Sequence, residues 1–506
     1  MTHMDAAGTW TYAWTPTFSG TGSWNGNQTI VTDPAGNKTI YVFSGVRQVD
    51  AIASSTGPLL VQTVVKQGAA TTLSTKTYCY NNVQTNCASP AAYATFPITQ
   101  IDVYTQLAGM SSQSRSTTTY DIYGNVLTNA VYDFGATSPV VTTTTSYGTW
   151  NGSQCVAIGN YVNDKPCSTS STDGTNTLTN TRNSYDTKGN QLSASVWTGA
   201  STNKWLTTGY SYYSNGTVHV VTPPSPAATI TYTYGACNTA FPTQIAGGDL
   251  TTYKTWNCDG GVPLTATDVN GKVTIYGYVG PPPNNTPDPF WRQSSVTDTF
   301  GNIAYTVYGQ NTLESSFSFG SSVDDTITTI DGLGRPIRSQ HRQGPSASNY
   351  DTVSMTYGFS GNYATTTSSV PCSKTLGIDC TTGITTVKAD PLGRMFTTTD
   401  RATVPGVVTK TYAPGGNYVD ILTTLSPNPT GENVKSSQNE FDGLGRVKST
   451  CAILASGGTT CGQVSAASGT AQTTFAYSTF SGETACNQQT TDERRADHHS
   501  GYGSAP

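Results

Sequence analysis

One short pattern recurs along the chain: an aspartate, two variable residues, a glycine, and then Asn, Arg or Lys. Random placement of 25 aspartates and 51 glycines in 506 residues would give about two or three Asp-x-x-Gly matches, whatever follows them. The chain has eight that continue with one of these three residues, which indicates a repeat array rather than several unrelated domains. The aspartates are Asp33, Asp121, Asp186, Asp268, Asp298, Asp331, Asp390 and Asp442, the glycines are Gly36, Gly124, Gly189, Gly271, Gly301, Gly334, Gly393 and Gly445, and the following residues are Asn37, Asn125, Asn190, Lys272, Asn302, Arg335, Arg394 and Arg446.

The spacing of Asp and Gly is that of a tight turn between two strands. An aspartate at the first position of a type I turn accepts hydrogen bonds from backbone N–H groups two residues on. Proline favours the second position, where Pro34 and Pro391 occur. Glycine at the fourth position adopts a positive φ, which lets the turn join two twisted strands through a bulge. Because the run after Gly36 is strand-like, we predict that each copy is a β-hairpin and that these Asp and Gly residues are structural turn residues.

Composition favours strands and turns over helices. Only 11% of the residues are charged, against about 25% in typical soluble domains. Asp outnumbers Glu by 25 to 5, and Asp favours turns whereas Glu favours helices. Isolated hairpins are marginal in water. We therefore predict an all-β fold in which an array of antiparallel β-hairpins joins edge to edge into one curved sheet.

The limits of the repeat suggest how the chain is divided. Residues 1–23 are expected to lead into the sheet, and residues 24–450 to form the repeat strip. Residues 451–490 are predicted to be an irregular segment with a disulfide loop at the end of the array. Residues 491–506 are predicted to be a disordered tail, because this stretch is far more charged than the rest and has no strand alternation. Residues 212–218, with Asn-Gly near their centre, are predicted to be a degenerate hairpin.

Eleven cysteines lie mostly in local pairs that bracket polar loops. They lack the close Cys-x-x-Cys spacing and flanking His of a zinc site. We interpret the pairs as disulfides formed in an oxidising compartment, each stabilising the fold by about 2–3 kcal/mol. The alternative is free buried thiols, since cysteine packs as a small apolar residue. Cys237 and Cys258 could form a fifth pair with a wider spacing, and Cys486 would then remain unpaired. The four local pairs are Cys79 with Cys87, Cys155 with Cys167, Cys372 with Cys380, and Cys451 with Cys461.

Several classes of function are disfavoured by the sequence. A formal net charge of -5 without a basic stripe argues against a nucleic-acid partner. The chain has no apolar run of about 20 residues that would span a membrane, and its first residues lack the pattern of a signal peptide. None of the five His has a Cys or carboxylate at ligand spacing in a plausible secondary-structure element, and phosphate-loop, nucleophile-elbow and zinc-protease motifs do not occur. We expect no catalytic residue, no metal site, no cofactor and hence no enzyme.

Two features leave carbohydrate chemistry open. Asp324 and Asp325 are adjacent carboxylates, but neighbours on a strand point to opposite faces and would not act on one substrate. We expect this pair to lie in a solvated loop. The tryptophans lie among Tyr, Asn and Thr, as they do in sugar-binding surfaces, although they could equally pack on the sheet. They are Trp10, Trp14, Trp24, Trp150, Trp197, Trp205, Trp256 and Trp291.

The repeat resembles that of the RHS family, also called YD repeats after their Tyr-Asp dipeptide. Residues 120–125, Tyr-Asp-Ile-Tyr-Gly-Asn, and residues 185–190, Tyr-Asp-Thr-Lys-Gly-Asn, have the full form. Residues 330–335 and 441–446 have a Gly-Arg form in which Ile or Phe replaces the tyrosine. The similarity extends over residues 24–447.

The resemblance implies a long β-sheet strip that spirals into a hollow shell. Proteins of this family are typically large, bacterial, and exported or on the cell surface, and many enclose a C-terminal toxin. The resemblance therefore implies a polypeptide cargo or remaining shell segments as partners, and a secreted or surface location as part of a longer protein. The self-cleaving core of the family has no match here, because Asp33–Gly36 and Asp390–Gly393 are typical of ordinary turns. A surface adhesin or carbohydrate-binding module that uses exposed aromatics is the alternative, with glycans as its partners.

Overall fold

A computed structural model describes most of the chain. The described residues are 1–5, 8–18, 24–44, 58–81, 87–89, 96–199, 202–280, 287–319, 322–400, 406–415, 418–427, 435–453, 461, 470–479, 486–492 and 495–500. Within these ranges the regular secondary structure is all β-strand, so the predicted all-β fold is confirmed.

Short strands alternate with tight turns and loops from one end of the chain to the other. The first group comprises β1 (Thr2–Asp5), β2 (Gly8–Phe18), β3 (Trp24–Thr32), β4 (Lys38–Ser44), β5 (Leu60–Gln67), β6 (Thr71–Tyr80), β7 (Gln100–Leu107), β8 (Ser114–Tyr120), β9 (Val126–Tyr132), β10 (Val141–Tyr147), β11 (Thr149–Trp150), β12 (Cys155–Val156), β13 (Pro166–Thr172), β14 (Thr177–Tyr185), β15 (Gln191–Trp197), β16 (Trp205–Tyr212), β17 (Val218–Thr222), β18 (Ile230–Ala236), β19 (Phe241–Gly247) and β20 (Leu250–Asn257). The second group comprises β21 (Val262–Thr267), β22 (Val273–Gly277), β23 (Ser295–Thr297), β24 (Ile303–Tyr308), β25 (Thr312–Phe319), β26 (Ser322–Ile330), β27 (Pro336–Arg342), β28 (Asn349–Ser360), β29 (Tyr363–Ser368), β30 (Cys372–Thr375), β31 (Thr385–Ala389), β32 (Met395–Thr399), β33 (Val407–Gly415), β34 (Tyr418–Ser426), β35 (Lys435–Phe441), β36 (Val447–Ile453), β37 (Thr470–Thr479), β38 (Cys486–Asp492) and β39 (Arg495–Ser500).

Almost every strand pairs antiparallel with the strands before and after it, as expected for an array of hairpins. Strands β1 to β10 pair in sequence order. The sheet then passes from β10 directly to β13, because β11 and β12 form a separate small hairpin. At β28 the sheet branches, since the first half of this strand pairs with β30 and the second half pairs with β29. The result is one long strip of sheet in place of a set of closed domains.

The predicted end segments contain strand backbone. Strands β1 and β2 pair with each other, and β2 pairs with β3, so the first segment joins the sheet. Strand β37 and most of β38 lie in the segment that was expected to be irregular, and the end of β38 and all of β39 lie in the expected tail. Residues 454–460, 462–469, 480–485, 493–494 and 501–506 lie outside the described residues.

The strip is thin and leaves much of its surface open. The accessible surface of the chain is 28111 Å². A compact monomer of 53.2 kDa would expose about 18,000 Å². The fully buried side chains that the structure describes include polar ones such as Gln340, Asp102 and Thr352, so the interior is not one apolar core.

The strip returns to itself after about 310–325 residues. Asn37 Nδ2 donates a hydrogen bond to the carbonyl of Asn362, 325 residues later. The backbone N–H of Gly443 donates to Asp133 Oδ1, 310 residues earlier in the chain. Both contacts join a turn on one edge of the strip to a turn on the opposite edge. This geometry is that of a spiral, and we call the line of contacts between its successive revolutions the seam.

Candidate functional site

The eight repeat aspartates bind the backbone of their own turns in the same way. In the first copy, Asp33 Oδ1 accepts hydrogen bonds from the backbone N–H of Ala35 at 2.9 Å and of Asn37 at 2.8 Å. The N–H of Gly36 donates to the carbonyl of Asp33, whose own N–H donates to the carbonyl of Asn37. The other seven copies have the same four bonds. The carboxylate thus pairs N–H groups that the strand ladder does not use, which stabilises the turn.

The repeat glycines are required by backbone conformation rather than by space. Their φ angles lie between 75° and 84°, in the left-handed region that a side chain disfavours. A Cβ atom added at Gly124 or Gly393 would meet nothing within 4 Å. The cost of a substitution at these two positions is therefore the strain of the positive φ alone.

A ninth turn of this kind, at Asp288, was missed by sequence reasoning. Asp288 Oδ1 accepts hydrogen bonds from the N–H of Phe290 at 2.8 Å and of Arg292 at 3.1 Å, as in the other copies. Trp291 occupies the glycine position with a φ of 54°, a strained value for a bulky residue. A search that required glycine could not find this copy. The proline that follows Asp288 and the arginine at the fifth position of the turn are the sequence features that could have identified this copy.

In the Asn and Arg copies the fifth residue also braces its turn through its side chain, in one of two ways. In the Asn copies the amide Nδ2 donates to the second carboxylate oxygen, as from Asn37 to Asp33 at 2.7 Å. Asn125, Asn190 and Asn302 do the same. In the Arg copies Nε and Nη2 both contact that oxygen, as in the pair of Arg335 and Asp331, where each distance is 2.7 Å. The donor is a neutral amide in the first type, whereas in the second it is a charged guanidinium that forms an ion pair with the carboxylate.

A tyrosine on the next strand covers the turns of the Arg type. The Arg335 guanidinium lies 4.2 Å from the centre of the Tyr357 ring, and the Tyr357 hydroxyl donates to the carbonyl of Pro336 at 2.8 Å. The Arg394 and Arg446 guanidinium groups lie 4.4 Å and 4.9 Å from the ring centres of Tyr412 and Tyr477, respectively. The hydroxyls of these tyrosines donate to the residue after each arginine.

The same tyrosine position also occurs beside Asn copies. The Tyr147 hydroxyl donates to the carbonyl of Val126, and the Tyr212 hydroxyl donates to that of Gln191. In three copies the tyrosine follows its carbonyl partner by 21 residues. The tyrosine before the aspartate does not predict this second tyrosine, whereas the recurring spacing of 21 residues is a sequence signal for it.

Hydrogen bonds keep several of these aspartates ionised. The side-chain bond from Arg292 lowers the pKa of Asp288 to about 2. The bond from Asn302 lowers the pKa of Asp298. In Asp121 burial acts to raise the pKa, but the bonds from Asn125 and the turn backbone outweigh it and the pKa is lowered. A charged carboxylate is the better acceptor for the N–H groups of its turn.

The seam is built from the same turn residues. Asn37, which is 5% exposed, donates to the carbonyl of Asn362 at 3.1 Å and accepts from the N–H of Gly68 at 2.9 Å. Asp133 accepts from Gly443, next to the repeat aspartate of another turn, at 2.6 Å. The turns therefore fix both the local hairpins and the distance between revolutions.

Five pairs of cysteines lie at disulfide distance. Four are the predicted local pairs, and the fifth is the wider pair of Cys237 with Cys258. Their Cα atoms are 5.0–6.3 Å apart, and Cys167 and Cys451 are fully buried. The geometry is compatible with cross-links that close loops on the edges of the strip.

The expected solvated loop at Asp324 and Asp325 is wrong, because both residues lie within β26. Asp324 is exposed and contacts His341 at 2.8 Å, whereas Asp325 is buried and binds Arg342. As expected for strand neighbours, they face opposite sides and do not form a two-carboxylate site. Among the described residues no group of three or more His, Cys, Asp or Glu could hold a metal ion. No helix of this part of the chain could cross a membrane.

Neighbouring side chains cover the rings of Trp150, Trp205 and Trp256. The Arg182 guanidinium lies between two rings, 4.3 Å from that of Trp150 and 3.8 Å from that of Trp205. Trp256 stacks on Phe241 at 4.6 Å. Trp14 differs, since it is 60% exposed. Faces covered in this way are not available as platforms for sugar rings.

Comparison with known proteins gives distant structural likenesses. No family model and no curated protein sequence matches the chain. A crystal structure of a TcdB2–TccC3–Cdc42 assembly matches at 12% identity and a TM-score of 0.33, over 96% of this chain and 27% of that one. A mutant Tc holotoxin pore from Photorhabdus luminescens matches at 10% identity and a TM-score of 0.22, over 96% of this chain and 32% of that one. The chain thus spans about a quarter to a third of the length of these structures.

Proposed function

We propose that this chain is a segment of an RHS-type shell wall that encloses or presents another polypeptide without catalysing a reaction. The observation on which the proposal depends is the seam, where turns 310 and 325 residues apart along one strip bind each other. A strip whose turns bind those of its next revolution would form a continuous wall, and Asn37 and Asp133 each make one such contact. The wide accessible surface agrees with a thin wall around a cavity.

Small-angle X-ray scattering of the whole chain tests the wall. A solid globule of this length would have a radius of gyration of about 23 Å. We expect a clearly larger value, with a distance distribution typical of a hollow particle. A radius near that of a solid globule would overturn the proposal.

A seam variant tests how the wall is held. The double substitution Asn37→Ala and Asp133→Ala removes both long-range side-chain bonds. We expect the radius of gyration to increase while circular dichroism still reports strands. Asn302→Ala is the matched control, since Asn302 braces its own Asp298. A control that expands as much as the double variant would show that the seam does not set the radius.

The polypeptide partner can be tested by protection from digestion. We would co-produce the chain with a labelled, unstructured polypeptide and compare its rate of proteolysis with that of the free polypeptide. Slow digestion that becomes fast in the seam variant supports enclosure. Saturable binding on a glycan array, with no protection, would instead support the surface-module alternative.

Export is part of the proposal and is supported by the paired cysteines. An oxidising compartment would keep these pairs closed. Thiol titration of the denatured chain isolated from its source should find few reactive thiols. A count of eleven would exclude export as we propose it.

A further inference from the structure

Four polar side chains form a row across neighbouring strands on one face of the sheet. Glu314 lies on β25, Asp325 on β26, Arg342 on β27 and Tyr350 on β28. Asp325 is directly opposite Ser316, so Glu314, two residues from Ser316, lies on the same face as Asp325 and diagonal to it. Arg342 is directly opposite Tyr350, and its guanidinium lies 5.1 Å from the Tyr350 ring. Two carboxylates therefore adjoin a single arginine in this row.

The two oxygens of Asp325 have different surroundings. Arg342 donates to Oδ2 through Nε and Nη2, each at 2.7 Å. Oδ1 is buried, and it has no hydrogen-bond partner within the described part of the chain. The residue as a whole is only 2% exposed. A buried carboxylate oxygen without a donor costs free energy, and Glu314, diagonal to Asp325 on the same face, can supply one if its carboxyl group is protonated.

We propose that Glu314 and Asp325 share one proton, and that this proton ties β25 to β26 in acidic solution and is released as the pH rises. Arg342 neutralises one negative charge of the pair and leaves the second uncompensated. At higher pH two like charges would face each other across adjacent strands, which opposes their pairing. The sheet at this position would then open more readily.

The electrostatic surroundings agree with this assignment. Burial, followed by the charge of Asp325, raises the pKa of Glu314 above its ordinary value of 4.5, although Arg342 acts in the opposite direction. On this face the described strands also place Tyr305 of β24, Arg338 of β27, which is ion-paired with Asp379, and Tyr350 of β28 with Lys374 beyond it. A raised pKa in the folded state contributes stability that is complete below about pH 4.5 and is lost as the pH rises through the folded value.

Hydrogen exchange of the whole chain measures the local opening. We would follow peptides that cover β25 and β26 in the wild type and in Glu314→Gln, each at the same series of pH values above 4.5. Between pH 4.5 and the folded pKa of Glu314 we expect the opening constant of the wild type to increase by about tenfold per pH unit relative to the variant. The amide introduced by Glu314→Gln would keep the bond to Asp325 at every pH. Equal exchange in both proteins across the series would overturn the proposal.

A control variant and a second measurement distinguish the pH-dependent opening at Glu314 from an unspecific effect of changing a nearby carboxylate. Asp324→Asn alters the adjacent carboxylate on the opposite face, which contacts His341, and should leave the pH dependence intact. If it abolished the dependence, the shared proton would be excluded as its source. Infrared spectra should show a protonated carboxyl band that persists above pH 4.5 in the wild type and is lost in Glu314→Gln. Persistence of that band in the variant would also overturn the assignment.

Discussion

The turns at Asp121 and Asp442 have the same backbone hydrogen bonds but use different braces. In the first, Asn125 binds the Asp121 carboxylate at 2.9 Å and also donates to the carbonyl of Asn163 at 3.0 Å. In the second, Arg446 forms an ion pair with Asp442 and lies beneath the Tyr477 ring. The Asn brace connects a turn to a neighbouring loop, whereas the Arg brace connects it to the next strand.

With two kinds of fifth residue, the same repeat makes contacts both between revolutions and within one revolution. The amide is small and neutral, so Asn37 can lie buried in the seam and bind a second revolution. The guanidinium needs a charged partner and a ring, and these keep it within one revolution. The two kinds of contact thus join turns across revolutions and within one revolution.

The two turn types should differ most in how much stability the fold loses when the aspartate is removed. Asp442→Ala should destabilise the fold by roughly 2–4 kcal/mol, because it leaves Arg446 and two turn N–H groups without their acceptor. Asp121→Ala should cost about half as much, since no charge loses its partner. Urea unfolding combined with local hydrogen exchange measures both. Equal losses would show that the charge of the brace does not matter.

Because both turn types have the same backbone conformation, we expect glycine substitutions to destabilise them equally. Gly124→Ala and Gly393→Ala should each destabilise by about 1 kcal/mol, one in an Asn turn and the other in an Arg turn, because each alanine must adopt a positive φ. Gly332→Ala is the control, since Gly332 has open space and no positive φ. It should be neutral or slightly stabilising. Thermal melting of the three variants decides whether conformation or local flexibility determines the cost.

The sequence was sufficient for the hairpin array because a turn is a local feature. Asp33 and Gly36 act within five residues, and the strand runs beside them have the right periodicity, so the all-β fold followed from short-range rules. The seam could not be predicted, because the contact of Asn37 with Asn362 depends on the curvature summed over 325 residues. The acidic pair of Glu314 and Asp325 was equally hidden, since it depends on the register of two strands.

Removing a tyrosine hydroxyl should have a smaller effect than removing a turn residue. Tyr357→Phe loses the bond to Pro336 and keeps the ring over Arg335, at an expected cost of about 0.5–1 kcal/mol. Tyr147→Phe, beside an Asn turn, should cost the same. A clearly larger loss at Tyr357 would mean that the hydroxyl positions the ring for the guanidinium. Urea unfolding of both variants makes the comparison.

The smallest but most specific difference that we expect between the two turn types is the pH at which acid destabilises each of them. The bond from Arg292 lowers the pKa of Asp288 to about 2, and the bond from Asn302 lowers that of Asp298. A lowered folded pKa contributes stability that is present above the ordinary value of 3.8 and is lost as the pH falls through the folded value. We expect local exchange around Asp288 to accelerate between pH 3.8 and about 2, and Asp288→Asn to lose this dependence. If the turn at Asp298 retained its protection to a lower pH than the turn at Asp288, a neutral amide would be the stronger brace and the ranking of the two turn types would be reversed.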